Sequence, residues 1–448
     1  MYDPLVSSGP GTGAAYPDSY WSDTAGPPPV DDGPVCADQE VEVAIIGAGY
    51  TGLSAAYHLA AEQGIEAIVL EANATGWGCS GRNGGFALKA GGRLSYQKMI
   101  KRYGEPTARG MFNEIYDGLA RVRGLIQDHN IDCDQQDDGH LWVAHRPRMM
   151  QVIESEARFL KQNFDYEVDI LSADELRQQH FNSDEAHGAM RFRHGFGVHP
   201  LKLAYGYHRM ARAAGVKIHT SSPVQQWLRE GDRHLLLTPG GVVKAKKVIV
   251  ATNGYTAPGL HPKLKSRTFP VLSNVIVTRP LNAKELQATN FVSSDVITDT
   301  RTLRFYYRKL PGNRILIGGR SAITGADACN PVHNENLLRA LRSKFSALGN
   351  LSFDYQWGGW VCVTFDDIPH ISQAEDDGSV LYALGYGGSG VSFAVQAGMR
   401  LAEKVAGITA GHDLPVLSTQ LPKFPFAPFR RIGQRALYHY YFARDEKR

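Results

Sequence analysis

The sequence predicts an α/β, Rossmann-like fold joined to an α+β part, and three observations predict it. The run VEVAIIGAGYTGLSAAYHLA, Val41 to Ala60, is apolar for the length of a strand, is broken by Gly47, Gly49 and Gly52, and then turns apolar at helical spacing. A second apolar stretch, IEAIVL, ends at Glu71, nineteen residues after Gly52. Farther on, SRTFPVLSNVIVTRPL and TLRFYYRKLPGNRILIGG read as strands, the latter a hairpin about Pro311-Gly312-Asn313, whereas EIYDGLARVRGLIQDH and RMMQVIESEARFLKQ read as helices.

The first forty residues are rich in Gly, Pro, Ser and Asp and hold no Lys or Arg, so they lack the basic start and apolar core of a secretory signal. They read as an extended, partly docked arm. From Val43 to Ala61 nineteen residues carry no charge, near the roughly 20 that span a bilayer, but three glycines, Thr51, Ser54 and His58 interrupt them. The better reading is a buried strand, Val41 to Ile46, a tight turn, and a helix from Tyr50 burying Leu53, Ala56, Tyr57 and Ala60. Gly47-Ala48-Gly49-Tyr50-Thr51-Gly52 is then a G-x-G-x-x-G between strand and helix, whose amides can cradle a pyrophosphate. Glu71 stands where a carboxylate accepts hydrogen bonds from both hydroxyls of an adenosine ribose, and it would repel a 2'-phosphate, which disfavours NADP.

Glu71 is followed by GWGCSGRNGG, Gly76 to Gly85, in which Arg82 is the first basic residue of the chain. It reads as a second contact to the phosphates or ring of a cofactor, against the plainer reading of a surface arginine in a loop; Cys79 reads as a small packed residue. Next, GVKIHTSSPVQQWL reads as a strand whose Val224 could offer backbone to an adenine, and KAKKVIVATNG as a strand running into Ala251, Thr252, Asn253 and Gly254. Gly385, Gly387 and Gly390 repeat G-x-G-x-x-G, but fifty-eight residues remain after Gly390 and Asp413 has no convincing strand before it. This helix start is expected to face the same cofactor from its other end, where its partial positive charge suits a reduced ring.

A net charge of +3 without a polybasic aromatic stripe argues against nucleic acid. Cys36, Cys79, Cys133, Cys329 and Cys362 are odd in number and form no C-x-x-C, which argues against disulfides and structural zinc and for a cytoplasmic setting. Asp366 and Asp367, read as neighbours on a strand, would point to opposite faces, so no metal is expected.

IIGAGYTGLSAAYHL, GCSGRNGG, GFGVHPLKLAYG, VIVATNGYTAPGL, YYRKLPGNRILIGGR and GYGGSGV, in this order, resemble the flavin-dependent amine and amino-acid oxidoreductases of the D-amino-acid oxidase, glycine oxidase and sarcosine oxidase superfamily. Within it the chain is similar to the γ-glutamylputrescine oxidase type. The resemblance implies a Rossmann-like FAD-binding domain (41–95, 190–255 and 365–448) interleaved with an antiparallel-sheet substrate domain (96–189 and 256–364), behind the arm 1–40. It implies cofactor contacts from Gly47, Gly49, Tyr50, Thr51, Gly52, Glu71 and Ala72, from Ser80, Arg82, Asn83, Gly84 and Gly85, from Val224, Ala251 and Thr252, and from Gly388, Ser389, Gly390 and Val391. Relatives with covalent flavin carry a cysteine where this chain has Gly359, and Cys362 is out of register, so non-covalent FAD is expected. Where relatives place a carboxylate-binding lysine this chain has Ser392, which disfavours a simple N-methyl amino acid.

The chemistry the resemblance implies is hydride transfer from a neutral amine to the flavin N5, followed by hydrolysis of the imine, with no compulsory side-chain base. Tyr255, Tyr307, Arg308 and Trp360 are the expected substrate contacts: aromatics suit an alkylamine and an arginine a carboxylate, although each residue type is commonly a packing residue. His199-Pro200 reads as the turn into the helix LKLAYGYHRMARAAG. The expected substrate is a γ-glutamylated polyamine or a cyclic imino acid such as L-pipecolate, with oxygen or a quinone as electron acceptor. The alternatives are an NADPH-dependent flavin monooxygenase and a non-catalytic FAD protein. The tail FRRIGQRALYHYYFARDEKR is expected to dock on the FAD domain rather than lie on a membrane, and no transmembrane segment is expected.

Overall fold

The computed structural model describes residues 1–320, 322–409 and 413–446. Two eight-stranded sheets organise the chain. The first has the spatial order His370–Ala374, Asp377–Leu384, Gly241–Val250, Gln39–Ile46, Ala67–Leu70, Lys217–His219. All neighbours along it are parallel except the outermost pair, His370–Ala374 with Asp377–Leu384. Ile46 lies opposite Val250 on one side and Leu70 on the other, so the glycine turn leaves from the middle of the sheet. Both faces of this strand are covered, and Val43, Ala44 and Ile45 have no exposed surface. That double burial explains a continuous apolar run in place of an alternating one.

The stretch expected as one strand, GVKIHTSSPVQQWL, is two. Lys217–His219 ends the parallel order, Ser221 turns the chain at φ 51°, and Gln226–Glu230 begins an antiparallel meander that continues through Arg233–Thr238 onto Gly241–Val250. Pro223 in the link has no N–H for a ladder, which is the physical reason for the break.

The second sheet runs in the order Phe353–Val363, Phe269–Thr278, Arg314–Gly319, Tyr306–Leu310, Val296–Asp299, His140–Val143, Gly188–Phe192, Asp169–Ser172. It is antiparallel except between Val296–Asp299 and His140–Val143. Residues 190–192, expected with the FAD-binding part, therefore pair within this sheet. The hairpin about Pro311-Gly312-Asn313 is present, with Gly312 at φ 71° and Asn313 at φ 57°.

Helices Tyr50–Gln63 and Gly390–Val405 cross beneath the first sheet at Ser54 and Gly398, where a Cβ on Gly398 would lie 2.6 Å from the Ser54 Cβ. The Ser54 hydroxyl donates to the Val395 carbonyl at 2.7 Å, and the Thr51 and Tyr386 hydroxyls lie 2.7 Å apart. The two glycine motifs are thus braced directly against each other.

The arm is not wholly extended. Ser19 caps a short helix, Tyr20–Thr24, whose Trp21 is buried and donates its indole N–H to the Asn83 carbonyl at 2.9 Å. The tail forms the helix Arg430–Glu446; residues 447 and 448 lie outside the described residues. This helix docks on the second sheet and not, as expected, on the FAD-binding part. Tyr438 packs with Val271, Leu303 and Val363, and the Asp445 carboxylate accepts from the Thr302 and Leu303 amides. No helix among the described residues is long and apolar enough to cross a membrane.

Candidate active site

A cavity of about 1430 Å³ runs between the two sheets, larger than the roughly 300–1,000 Å³ of an ordinary ligand pocket and roomy enough for a cofactor together with a substrate. One end lies at the first motif. Gly47 takes φ 111°, and a Cβ on Gly49 would lie 2.8 Å from the Ser80 hydroxyl, so the backbone is bare where the helix Tyr50–Gln63 begins. Glu71 accepts from the Ala48 amide at 2.9 Å and the Asn73 amide at 3.0 Å. Burial raises its carboxyl against the lowering pull of the Asn73, Ala48 and Ala72 amides. Hydroxyl donors from a ribose would favour its charged form.

Lining this cavity are Gly47, Gly49, Tyr50, Thr51, Glu71, Ala72, Ser80, Arg82, Asn83, Gly84, Val224, Ala251, Thr252, Gly388, Ser389, Gly390 and Val391. Two expected contacts are not among them. A Cβ on Gly52 would sit 1.9 Å from the Gly47 carbonyl oxygen, and one on Gly85 would sit 2.0 Å from that of Val198, so both glycines serve close backbone packing. Arg82 lines the cavity but spends its guanidinium on the protein: Nε donates to the Trp77 carbonyl at 2.7 Å and the group stacks 4.4 Å from the Trp77 ring. The arm closes this end, with Ser8 to Thr12 on the wall and the Gly13 amide donating to the Ala72 carbonyl at 3.0 Å.

These features fit FAD. The fold supplies a helix start free of side chains, an acid at the strand end for a ribose, and a second helix start, Gly390–Val405, facing the same space from its other end. Cys362 shares its strand with the cavity-lining Gly359, Val361 and Val363 but points the opposite way; it is buried and its thiol is pushed up to about 12.

Of the four expected substrate contacts only Tyr255 reaches the cavity. Tyr307 has no exposed surface and packs with Phe181 and Phe345 in the core beneath the second sheet. Arg308 is buried, donating to the Gly84 carbonyl at 3.0 Å, to Gln136 Oε1 at 2.6 Å and to the Val198 carbonyl at 2.6 Å. Trp360 is fully buried and donates its indole N–H to the Tyr2 carbonyl at 2.7 Å. Strand alternation is the reason for Tyr307 and Trp360: Tyr306, Gly359 and Val361 line the cavity, while Tyr307 and Trp360 between or beside them point away; Arg308 shares the strand face of Tyr306 and is instead covered by Gly84, Gln136 and Val198. Ser392 is also buried, its hydroxyl donating to the Leu88 carbonyl at 2.5 Å, so it holds the 88–93 loop. Asp366 and Asp367 lie in a turn, not on a strand; Asp366 pairs with His370 at 3.0 Å and Asp367 takes φ 65°.

The structure adds residues that the sequence reading passed over. Arg320 ends the run ILIGGR, beside Gly388, and its Nη1 is buried without a hydrogen-bond partner among the described residues. Burial depresses its guanidinium, and Arg93 adds repulsion. The Tyr306 hydroxyl pairs with Ser273 at 2.9 Å, and Tyr438 and Gln434 of the tail helix line the same wall. Beyond the 88–93 loop the cavity continues into a lobe bounded by Lys89, Tyr96, Trp142, Glu156, Met190 and Phe192. Tyr306 had a signal in strand alternation; the lobe is built from four separated segments and had none.

Comparison with known proteins gives the family. Residues 42–404 match the model of the family described as DAO, FAD dependent oxidoreductase. The γ-glutamylputrescine oxidoreductase of Escherichia coli (strain K12) is 32% identical over 411 residues, covering 90% of this chain and 92% of that protein. Glycine oxidase of Bacillus subtilis (strain 168) is 23% identical over 385 residues, 83% of this chain and 95% of its own. In fold, the crystal structure of glycine oxidase from Geobacillus kaustophilus superposes with a TM-score of 0.71 at 19% identity, covering 86% of this chain and all of the other.

Proposed function

The chain belongs to the DAO family of FAD-dependent oxidoreductases, enzymes of amines and amino acids, and like glycine oxidase it holds FAD non-covalently; from this premise we propose that its substrate is a γ-glutamylated polyamine, oxidised at the carbon bearing the free amine. One observation carries the reading: the cavity does not end beside the glycine motifs but runs on past Lys89 into the remote lobe, leaving room for a long substrate with a polar far end. The similarity to the Escherichia coli enzyme supports it.

FAD, when bound, supplies the two-electron acceptor. In this reading Glu71 receives the ribose hydroxyls, and the starts of the helices Tyr50–Gln63 and Gly390–Val405 meet the pyrophosphate and the ring. Arg320, Arg304 and Arg93 surround the reacting end with positive charge. A substrate ammonium placed there is disfavoured, so its proton leaves to solvent and the neutral amine remains, without a dedicated base. The Tyr306 and Tyr438 hydroxyls can hold that amine by its N–H. The carbon then loses hydride, the nitrogen loses a proton, and the imine takes up water to give an aldehyde and ammonia. Leu437, Tyr438 and Tyr441 of the tail helix shield this end from bulk water.

Anaerobic mixing of the purified flavoprotein with γ-glutamylputrescine, putrescine, L-pipecolate, L-proline, sarcosine and glycine tests the reading. Rapid bleaching by γ-glutamylputrescine, well ahead of the others, is expected; bleaching by L-pipecolate or L-proline alone overturns it. The second reading, a cyclic imino acid, has its own support in the unpartnered Arg320 Nη1 beside Gly388, where an α-carboxylate could pair with it. Peroxide released under air separates oxygen from a quinone as the acceptor.

A further inference from the structure

The remote lobe contains two ionisable side chains that no opposite charge among the described residues pairs. Lys89, in the loop before the helix Tyr96–Tyr103, sets its ammonium 3.2 Å from the Phe112 ring centroid, 3.8 Å from Tyr166 and 4.7 Å from Tyr116. His194 fixes two walls of this cage, its Nδ1 lying 3.0 Å from the Tyr166 hydroxyl and its Nε2 3.3 Å from that of Tyr116. An aromatic cage steadies a cation without cancelling its charge. Glu156, on the helix Met149–Phe164, takes one hydrogen bond, from Gln97 at 3.1 Å. Burial pulls Lys89 down to about 7 and raises Glu156, and no ion pair joins either residue to an opposite charge among the described residues. The Tyr96 hydroxyl donates to the Lys89 carbonyl. Trp142 also lines the cavity, and its indole N–H is buried without an acceptor among the described residues. A lone cation, a lone anion and an orphaned donor in one cavity each raise the free energy of the empty site, and a ligand carrying the complementary groups would remove all three costs at once.

We propose that this lobe is a receptor for a zwitterionic amino-acid head group, with Lys89 and the Trp142 N–H taking its carboxylate and Glu156 its ammonium. The proposal rests on the γ-glutamyl reading: a γ-linked glutamate keeps its α-amino and α-carboxyl groups free at the end of the molecule away from the reacting amine. Met190 and Phe192 beside these groups offer apolar surface to the connecting methylenes. Lys89, Trp142 and Glu156 are positioning residues for the far end of the substrate; they distinguish an amine with this head from the bare polyamine.

The test is calorimetric binding to the holoenzyme, independent of turnover. L-γ-glutamylbutylamide has the head and the chain but no oxidisable terminal amine, and N-butylacetamide lacks the head. We expect the first to bind at least about tenfold more tightly than the second, a preference that Lys89→Met and Glu156→Gln each reduce by about tenfold, since each removes a charge-assisted contact. Lys89→Arg, which keeps the cation, retains most of the preference, and flavin content and far-ultraviolet circular dichroism identify any variant that has failed to fold. Equal affinity of the wild-type protein for the two amides overturns the proposal, as does a preference unchanged in both charge-removing variants. A preference that is present and is lost in those variants, without bleaching by γ-glutamylputrescine, upholds the receptor and rejects the proposed reaction.

Discussion

Replacing Arg308 separates a packing role from substrate binding. Its guanidinium is fully engaged by the Gly84 and Val198 carbonyls and by Gln136, has no acid partner, and is lowered by burial to about 9, so it remains a cation at neutral pH. Arg308→Met keeps much of the stem but leaves three buried acceptors, each costing about 1–3 kcal/mol. Relief from burying the cation offsets part of this, and a net loss of about 3 kcal/mol is expected. At about 2.1 cal/mol/K per residue, 448 residues lose about 0.9 kcal/mol of stability per degree near the midpoint, so Tm should fall by about 3 °C. Because the freed Gly84 carbonyl belongs to a loop on the cavity wall, flavin should also dissociate more readily. KM for the amine should stay within about twofold. Thermal denaturation followed by circular dichroism, with flavin release and steady-state kinetics on the same preparation, measures all three. An unchanged Tm with KM raised tenfold, about 1.4 kcal/mol of lost binding, would return Arg308 to the substrate and refute the reasoning.

Gly52→Ala should yield no folded holoenzyme, because its Cβ would lie 1.9 Å from the Gly47 carbonyl oxygen; Gly64→Ala, at φ 64° with open space around it, should cost only about 1 kcal/mol and keep its flavin. Asp299 is held low: burial alone would raise it, but Lys344 at 2.9 Å and Arg301 at 2.7 Å outweigh burial. A depressed folded value means stability present above the unfolded value of about 3.9 and lost as pH falls through the folded one. Asp299→Asn should therefore cost about 3–5 kcal/mol at neutral pH, and urea titrations should show the gap to wild type closing below about pH 4; a gap independent of pH would exclude this ion-pair cluster as the cause.

The cofactor end was legible because each of its parts is local in sequence: a strand, bare glycines, a helix, and an acid at the next strand end. The substrate end was not. Tyr306 and Tyr307 are equally plausible as a sequence, and alternation guarantees that one of them faces the cavity, but both faces of this sheet are covered by protein, so hydrophobicity does not reveal which. The same ambiguity hides Trp360 against Val361. Arg308 was legible as an unusual arginine in a strand, but a buried guanidinium that satisfies carbonyls and one that awaits a ligand have the same one-letter code; only the neighbours of Arg308 and Arg320 distinguish them. The lobe joins a loop, two strands and two helices that no spacing rule connects.

The arm bears on the order in which the molecule can be assembled. Asp3 accepts from the Gly325 amide at 2.8 Å and from Arg431, Ala14 donates to Asn73 at 2.7 Å, and Trp21 donates to Asn83. Every one of these anchors is synthesised after the arm, and Arg431 after nearly everything else. Asn73 and Asn83 follow the arm closely in the chain, whereas Asp3 depends on residues 325 and 431; without the arm the adenosine end of the cavity lacks the wall formed by Ser8 to Thr12. Loosening the arm would therefore uncover the adenosine end of a cofactor seated there.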